Sequence, residues 1–474
     1  MRPRFGIGVV MAALIYAAGC AGLPPKPPPV KLPVDAPLSL SGLAGERGDW
    51  PAEKWWTQYG DPVLDQLIDM ALASSPTLAT AHARFDTAQQ SVRITAAAAG
   101  AHVDASGDTS RQRLSDNGMF PPQLLGFHWY NLNDLGLQAS YTFDWWGKQR
   151  YAVEAAVDQA HAAQADRAAA ALMLASSVAD TYFGWQSDQG RLTLAQEREA
   201  TVAREGSIMA ARIRAELESA DEARRADSNL AAVRERIADL EGSARLRVVA
   251  LSALVGCSPE QLPAMTARPL PAIGNGLPDD VKIDLIARRA DLTASRWRVE
   301  AAQKERESAR AEFFPDVSIN ALIGVQSVDV GKLLQYNSRV PAATAAIHLP
   351  IFDRGRLKAR YGASQAAIDA AVAGYQDTLV GAARDVATQA TSRAEIGAQR
   401  KQRLIEVEAA ERLKSSAAAR VRQGIADSRM ELAATEIWME QRDALLQLDS
   451  AAVSSDIGLQ RALGGGYLAN EKQK

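Results

Sequence analysis

Two proline-free tracts set the strongest constraint on how this chain can fold. No proline occurs between Pro122 and Pro259, and none follows Pro350. Strong helix formers, chiefly alanine, glutamate, glutamine, arginine and leucine, dominate both tracts. From Gly147 to about residue 214, and from Gly355 to about residue 422, no cluster of capping residues would end a helix. At about 1.5 Å per residue, each tract predicts a helix on the order of 100 Å long, typical of a coiled coil rather than of a compact core.

A heptad seam continues beyond the first tract. Its members alternate in spacings of three and four, with one charged interruption: Leu230, Val233, Ile237, Leu240, Ala244, Arg247, Leu251 and Leu254. Such a seam predicts a helix that packs against a neighbour along a narrow apolar stripe. An antiparallel helical bundle and the wall of a helical tube both contain such helices, so the heptads leave both architectures open.

Four segments interrupt this helical background with a period of two. They form two pairs, roughly 102–113 with 134–145 and 316–327 with 340–351, and turn-forming residues connect the members of each pair. Alternation over about ten residues is typical of a membrane-barrel strand, although for any one segment alone a half-buried soluble sheet is the simpler interpretation. The alternating apolar residues are Val103 and Ala105; Leu135, Leu137, Ala139, Tyr141 and Phe143; Val317, Ile319, Ala321, Ile323 and Val325; and Ala343, Ala345, Ile347, Leu349 and Ile351.

Four strands cannot close a membrane barrel by themselves. Spanning barrels contain about eight strands or more, and an open edge in lipid leaves backbone groups unpaired at a cost of several kcal/mol each. Beyond the N-terminal segment, no apolar stretch approaches the length of a spanning helix, so a membrane crossing would have to be made by strands. If the strands cross a membrane, several copies of the chain must share one barrel.

The two halves of the chain repeat one another. "TFDWWGKQR" at 142–150 aligns with "PIFDRGRLK" at 350–358, and "ARIRAELESADE" at 211–222 aligns with "ARVRQGIADSRM" at 419–430, in both cases 208 residues later. A further match upstream has a somewhat larger offset. Each half reads as helix, hairpin, long helix, turn and helix, which predicts a twofold repeat of one mixed unit.

The N-terminus predicts export. "MRPRFGIGVVMAALIYAAGC" combines two arginines, an apolar run too short to span a membrane and small residues before Cys20. "YAAGC" resembles the lipobox of bacterial lipoproteins, which implies acyl chains on Cys20; plain secretion is the alternative. By the same resemblance, Ala21 in place of aspartate implies the outer membrane. The prolines from Pro24 to Pro37 predict an extended tether, and Cys257 is left without a partner.

Taken together, these segments resemble the outer-membrane factors of the TolC family, in particular the lipoprotein branch called NodT or OprM-like. The resemblance covers nearly all of the mature chain. It departs from the family pattern where Glu216 replaces the tip glycine that Gly424 keeps, and where "AAGAHVD" lacks the proline that Pro315 keeps. Besides the Cys20 lipobox, it is carried by "WWTQYGDPVLDQLIDMALASSPTLATAHAR" (55–84), "FDWWGK" (143–148), "AEFFPDVSINA" (311–321), "LPIFDRGR" (349–356) and "RVRQGIADSRMELAATE" (420–436).

The resemblance implies a mainly α-helical homotrimer with a transmembrane β part. Duplicated long antiparallel helices would form an α-barrel, and each chain would contribute four strands to a shared twelve-stranded β-barrel. The implied boundaries are a signal peptide (1–19), a lipid-anchored tether (20–50), first-half helices (51–101), β-hairpin 1 (102–146), helical hairpin 1 (147–260), a linker (261–281), a second-half helix (282–315), β-hairpin 2 (316–352), helical hairpin 2 (353–464) and a tail (465–474).

The function that the resemblance implies is a passive exit duct in the outer membrane. A periplasmic adaptor and an inner-membrane pump of the RND type are the implied protein partners, and outer-membrane lipid surrounds the barrel. The implied cargo is small molecules such as drugs or toxic organic compounds. Metal-ion efflux and type I protein secretion are the alternatives within the family.

The resemblance also places a resting closure at the tips of the helical hairpins. A ring of acidic side chains there would favour cations, although hairpin tips in water are usually charged in any case. Adaptor docking is expected to shift the helix pair that carries Asp427 and Arg429, so neutralising Asp427 together with Glu431 should raise conductance. The candidate gate residues are Asp427, Arg429, Glu431, Glu216, Glu218, Asp221 and Glu222, and the expected barrel-to-helix transitions are Gly147, Pro350 and Gly355.

Other function classes find less support in the sequence. A net charge of −3 does not indicate a nucleic-acid partner. The five histidines lack metal-ligand spacing, and no nucleophile elbow or phosphate loop occurs, so neither an enzyme nor a cofactor is expected. A lipid-anchored periplasmic coiled-coil scaffold explains the heptads, but it does not explain two hairpins at matching places of a duplicated chain.

Overall fold

The structure, a computed structural model, describes residues 28–33, 48–119, 121–273, 276 and 287–469. The predicted signal peptide with Cys20, most of the predicted tether and part of the predicted linker lie outside the described residues. Within them the chain forms two compact units. The sheet unit contains Phe85–Ala162 and Ser295–Gly374, and the helix unit contains the described residues of Pro33–Arg84, Ala163–Ala294 and Tyr375–Lys474.

Helices account for most of the described residues, and four strands form the only sheet among them. No described helix is both long enough and apolar enough to cross a bilayer. The helices are α1 (Pro62–Ser74), α2 (Pro76–Ala98), α3 (Pro122–Leu125), α4 (Lys148–Arg214), α5 (Ala220–Val255), α6 (Ala290–Ala311), α7 (Arg356–Arg422) and α8 (Ser428–Ala462), and the strands are β1 (His102–Arg113), β2 (Trp129–Phe143), β3 (Asp316–Ser327) and β4 (Arg339–His348).

The two long helices are confirmed. Helices α4 and α7 each contain 67 residues, and each follows a glycine in the left-handed region. Gly147 has a φ of 78° and Gly355 a φ of 83°. An aspartate shortly before each glycine accepts hydrogen bonds from the first free N–H groups of the helix: Asp144 from Arg150 N at 2.7 Å, and Asp353 from Leu357 N at 2.9 Å. Both helices therefore begin with a comparable capping arrangement.

The four strands form one antiparallel sheet in the order β1-β2-β3-β4. The register places the predicted alternating residues in lateral rows, for example Ala105 beside Leu137 beside Ile323. Because paired residues of an antiparallel sheet project from the same face, all four predicted apolar alternations share one face. The sheet therefore has an apolar face, and a polar face that carries Gln138, Asn320 and their row neighbours.

Two strand boundaries differ from the prediction by three residues or more. Strand β2 begins at Trp129, five residues before the predicted position 134, because the aromatic pair Trp129 and Tyr130 continues the ladder opposite Arg113 and Gln112. Strand β4 ends at His348 rather than at 351. Leu349 and Ile351 lie beyond the strand, on either side of Pro350, which has no N–H to donate.

The helix unit is built on an apolar core around α1. Leu64, Leu67 and Ile68 are fully buried there, among residues of α4, α5 and α8. A buried tyrosine of α4, Tyr182, donates its hydroxyl proton to Asp61 at 2.7 Å. Asp61 also caps α1 through the N–H of Val63, so the same carboxylate begins the helix and ties it to α4.

The heptad seam of α5 is confirmed by its burial. Val233, Leu240 and Leu251 are buried, and the remaining apolar members are at least half-buried. Its charged member also has a partner: the guanidinium of Arg247 donates to the buried carboxylate of Asp188 in α4 at 2.6 Å. The interruption is therefore an ion pair between two packed helices rather than a defect in the seam.

Candidate functional site

Two tight turns close the helical hairpins of the helix unit, and their backbones are equivalent. The N–H of Leu217 donates to the carbonyl of Arg212 at 3.0 Å, and the N–H of Ile425 donates to the carbonyl of Arg420 at 2.9 Å. Each bond spans six residues, as in a Schellman motif. The second set of residues follows the first by 208 positions, so the duplication extends to individual hydrogen bonds.

The residue that closes each helix adopts a left-handed backbone conformation. Gly424 has a φ of 71°, and Glu216, at the equivalent place of the first hairpin, has a φ of 60°. Glycine adopts this conformation without strain, whereas a residue with a Cβ atom is destabilised there by roughly 1–2 kcal/mol. Glu216 therefore departs from the family pattern in residue type, while its backbone conformation matches that of Gly424 in the second turn.

Four charged side chains connect the two turns, and we call them the tip ring. Glu218 Oε1 accepts from Arg212 at 3.2 Å and from Arg429 Nη1 at 3.2 Å. Asp427 Oδ2 in turn lies 3.0 Å from Arg429 Nε and 3.8 Å from Arg212 Nη1. Positive and negative groups thus alternate around a closed circuit that joins the first tip to the second.

Asp427 has a structural role as well as a charge. It is the N-cap of α8, where its Oδ1 accepts from the N–H of Arg429 at 3.1 Å. This backbone hydrogen bond, followed by the one from the Arg429 side chain, lowers the pKa of Asp427 below its ordinary value. The same side-chain hydrogen bond raises the pKa of Arg429. Both groups are therefore charged at any physiological pH.

Of the seven predicted gate residues, the structure brings together Glu218, Asp427 and Arg429. Asp221 and Glu222 instead pair locally with Arg224 and Arg225 along α5, at 2.6 Å and 2.8 Å. The remaining two make no ion pair with a described residue: Glu216 and Glu431.

A ladder of charges continues from the tip ring along α4 and α8. Arg191 donates to both oxygens of Asp443, at 2.7 Å and 2.9 Å, and Arg198 lies 3.8 Å from Glu436. Burial and the nearby Glu436 carboxylate raise the pKa of Glu205, which lies seven residues after Arg198. The ladder repeats every seven residues, as expected for two helices that pack along one seam.

Sequence reasoning missed the fourth member of the ring, Arg212, and the whole ladder. The missed signal was periodic: Arg191, Arg198, Glu205 and Arg212 follow one another at intervals of seven residues. On a helix in a heptad packing these positions share one face. Only the contacts of α8 identify that face as an interface, because charged heptad positions also occur on solvated surfaces.

The apolar face of the sheet is a second candidate functional surface. Leu137, Ile323 and Ile347, in three different strands, are 54%, 72% and 59% exposed. The outer edges of β1 and β4 pair with no other described strand. An exposed apolar face of this kind is normally covered by apolar groups of a partner, and open edges normally pair with further strands.

The predicted transition residues lie between the strands and the long helices. Gly147 and Gly355 directly precede α4 and α7, and Pro350 lies in the segment after β4. Trp146, beside Gly147, donates its indole N–H to the carbonyl of Pro315 at 2.9 Å and stacks on Phe314. The turn from β2 into α4 is thereby attached to the turn from α6 into β3.

Among the described residues, no cluster of histidine, cysteine or acidic side chains could hold a metal ion.

Comparison with known proteins identifies relatives over nearly the whole chain. The multidrug resistance outer membrane protein MdtP of Escherichia coli strain K12 is 32% identical over 451 residues, which cover 94% of this chain and 91% of that protein. The multidrug resistance outer membrane protein MdtQ of Escherichia coli O6:H1 is 30% identical, with 96% of both chains covered.

Solved structures share the fold. The outer membrane protein VceC of Vibrio cholerae superposes with a TM-score of 0.79 at 32% identity, covering 88% of this chain and all of that one. The CmeC outer membrane channel of Campylobacter jejuni has a TM-score of 0.85 at 21% identity, with 95% and 96% coverage, which supports the fold alone.

The family comparison agrees with the internal repeat. The sequence profile described as "Outer membrane efflux protein" matches residues 67–257 and 283–465, so each half of the chain accounts for one match. The second match ends 208 residues after the first, the same offset that relates the two tips. Neither the family description nor the names of these relatives are those of enzymes. The chain belongs to the outer membrane efflux protein family, and its place is the outer membrane.

Proposed function

We propose that three copies of this chain form an outer-membrane exit duct for small molecules. The observation that carries the proposal is the four-stranded sheet with an exposed apolar face and two open edges. Pairing β1 of one copy with β4 of the next would satisfy both edges and, with three copies, would close a barrel of twelve strands. The apolar face would then contact lipid, and the polar face would line the channel.

The length of the apolar stripe matches a bilayer. On β2 it runs over nine residues, from Leu135 to Phe143, or about 30 Å along the strand. At a tilt of about 40°, this corresponds to about 23 Å of height, close to the roughly 25 Å apolar band of outer-membrane barrels. Trp145 and Phe352, 65% and 84% exposed, follow the sheet where aromatic residues are common at a membrane interface.

We assign the tip ring to the resting closure. Four alternating charges hold the two hairpin tips of one subunit together, and they are the contacts that adaptor docking would have to rearrange. This refines the sequence hypothesis: Asp427 and Arg429 keep their proposed role, Glu218 and Arg212 complete the contact, and Glu431 is left outside it. In this proposal a periplasmic adaptor and an inner-membrane pump of the RND type are the partners, and Cys20 carries the lipid.

Small-molecule cargo is favoured over the alternatives. The relatives MdtP and MdtQ are both described as multidrug resistance outer membrane proteins. The described residues contain no cluster of potential metal ligands that would favour metal-ion efflux. Type I protein secretion is the alternative cargo class.

The proposal is tested by the native mass of the Cys20→Ser protein, exported with a cleavable signal and extracted from outer membranes with detergent. A stable trimer in the membrane fraction is expected, because the shared barrel holds the protein in the bilayer without its acyl chains. The acylated protein, extracted in parallel, is the control. A soluble periplasmic monomer would contradict the shared barrel.

A further inference from the structure

Charges on the sheet are sorted by face. The strands contain three arginines and four aspartates. The register places every arginine on the apolar face, since Arg111 and Arg113 lie opposite Asn131 and Trp129, and Arg339 lies opposite Val325. It places every aspartate on the polar face: Asp104, Asp108, Asp134 and Asp316.

The three arginines are also confined to one end of the sheet. Arg111 and Arg113 are among the last three residues of β1, and Arg339 is the first residue of β4. This is the end at which the β1–β2 and β3–β4 connections lie, opposite the end from which α4 and α7 begin. On its own strand each arginine lies beyond the apolar residues of that face: Arg339 is level with Val325, and Arg111 and Arg113 lie farther out, level with Asn131 and Trp129. We call the three the arginine rim.

The side chains of the arginine rim are available to a ligand. The guanidinium of Arg111 lies 5.7 Å from the ring centre of Trp129, and that of Arg339 lies 4.4 Å from the ring centre of Tyr336. These rings are themselves exposed, by 54% and 75%. Arg113, 57% exposed, has a single carboxylate neighbour, Asp116, at 3.4 Å. Neither Arg111 nor Arg339 forms an ion pair with a described residue.

A general need for solubility does not explain this arrangement. Charges that serve only to hydrate an exposed sheet end would be of both signs on both faces. Here the face that exposes leucine and isoleucine carries only positive charge, at only one end. A cation at that place is favourable when anionic groups lie just beyond the acyl chains that contact the apolar stripe, and a carboxylate there would be repelled.

We propose that the arginine rim binds the phosphate groups of a phosphorylated glycolipid in the outer leaflet, whose acyl chains lie against the apolar stripe below. The inference rests on the proposed function, because it requires the apolar face to contact lipid. Continuity with that face supports a lipid as the occupant. Guanidinium groups form bidentate hydrogen bonds with phosphate oxygens, and stacking on Trp129 and Tyr336 restricts two of the three guanidinium groups before binding.

The test is lipid binding by the full-length trimer in phosphatidylethanolamine nanodiscs, titrated with lipid A that carries two phosphates and followed by native mass spectrometry. The Arg111→Gln/Arg113→Gln/Arg339→Gln variant should bind about 100-fold more weakly, at about fivefold per arginine. The matched control removes three charges from the polar face, Asp104→Asn/Asp108→Asn/Asp134→Asn, and should bind like the wild type. Lipid A without its phosphates should bind the wild type as weakly as native lipid A binds the arginine variant.

Equal affinity of the wild type and the arginine variant, or equal binding of the two lipids by the wild type, would overturn the inference. If the triple variant does not assemble, each single variant should still lose about fivefold in affinity. The trimer mass separates the two proposals. A wild-type protein that forms no membrane trimer contradicts the proposed function, whereas a trimer without preference for phosphate contradicts only the arginine rim.

Discussion

Arg429, at the start of α8, donates through Nη1 to Glu218 Oε1 at 3.2 Å, although 211 residues separate the two along the chain. This contact links the turn of the first helical hairpin to the turn of the second. Glu218 also accepts from Arg212 of its own hairpin, so one carboxylate holds two arginines from opposite tips. The side chains are partly shielded, with Glu218 22% and Arg429 38% exposed.

Replacement of Glu218 by glutamine should therefore favour the open tip. Each partly exposed ion pair contributes about 0.2–1 kcal/mol, so losing the two pairs of one subunit should raise the open-to-closed ratio of that subunit's tip about 2- to 30-fold. Single-channel recording in planar bilayers measures this directly. The control is Glu222→Gln, which removes the same charge from a pair within α5. If Glu218→Gln conducts like the control, the ring does not hold the closed state.

The acid response of the tip should be confined to low pH. The N–H and side chain of Arg429 lower the pKa of Asp427. A carboxylate with a lowered pKa contributes its full stabilisation to the closed tip when the pH is above the ordinary pKa. That stabilisation is lost as the pH falls through the lowered pKa. Conductance should therefore stay constant from pH 7 to 5 and rise only below about pH 4. Asp427→Asn should be more open than the wild type from pH 7 to 5. A wild-type transition between pH 5 and 6 would assign the closure to another group.

Replacement of Glu216 by glycine should stabilise the protein. Glu216 holds a φ of 60° in a turn whose hydrogen bonds match those around Gly424. Removing the Cβ atom should raise the free energy of unfolding by about 1 kcal/mol, and Gly424→Ala should lower it by a similar amount. Thermal unfolding of the two variants gives the comparison. Glu216→Asn controls for the lost charge while tolerating the same backbone; a stabilisation by asparagine larger than that by glycine would point to charge rather than conformation.

The stability of the sheet unit should depend on pH through Asp158 of α4. Burial, and then the carboxylate of Glu300, raises the pKa of Asp158 to about 6. A raised carboxylate pKa means that the folded state binds more protons between the ordinary value and about 6, so stability falls as the pH rises through that window and is then constant. Asp158→Asn should be more stable than the wild type at pH 8, by on the order of 1 kcal/mol after allowing for solvent screening.

The measurement for Asp158 is a pair of melting curves, at pH 5 and pH 8. At pH 5, inside that window, the unfolded chain has already lost the proton that folded Asp158 keeps, so the gain from asparagine should be roughly half of that at pH 8. Glu154→Gln is the contrasting variant, because Glu154 accepts a hydrogen bond from Lys304 and its replacement should destabilise. An equal gain from Asp158→Asn at both pH values would exclude titration of this carboxylate as the cause.

The two faces of the sheet should differ in how they tolerate a new charge. Leu137 on the apolar face and Gln138 on the polar face are adjacent in β2. Arginine at 137 would lie in lipid and should cost about 2–4 kcal/mol, which reduces the amount of trimer in the outer-membrane fraction. Arginine at 138 would face the channel and should leave that amount unchanged. Equal loss from Leu137→Arg and Gln138→Arg would contradict the assignment of the faces.

Local patterns predicted the elements well, for identifiable reasons. A period of two cannot be satisfied by a helix, so the alternation through Leu135, Leu137 and Ala139 was sufficient to predict β2. The long helices followed from the absence of proline between Gly147 and Arg214. The errors lay at strand ends, where Trp129 extends one ladder and another ends at His348, because pairing there depends on a neighbouring strand.

The sequence by itself determined the repeat, the four strands, the two 67-residue helices and the left-handed turn at Gly424. Each of these follows from backbone preferences and from periodicities that act within a few turns of the chain. Only the tertiary structure decided which charges meet: Glu218 contacts Arg429 and Asp427 lies near Arg212, while Glu431 remains outside. Charged residues occur all along both tips, so the selection depends on how two distant helices pack and not on any local pattern.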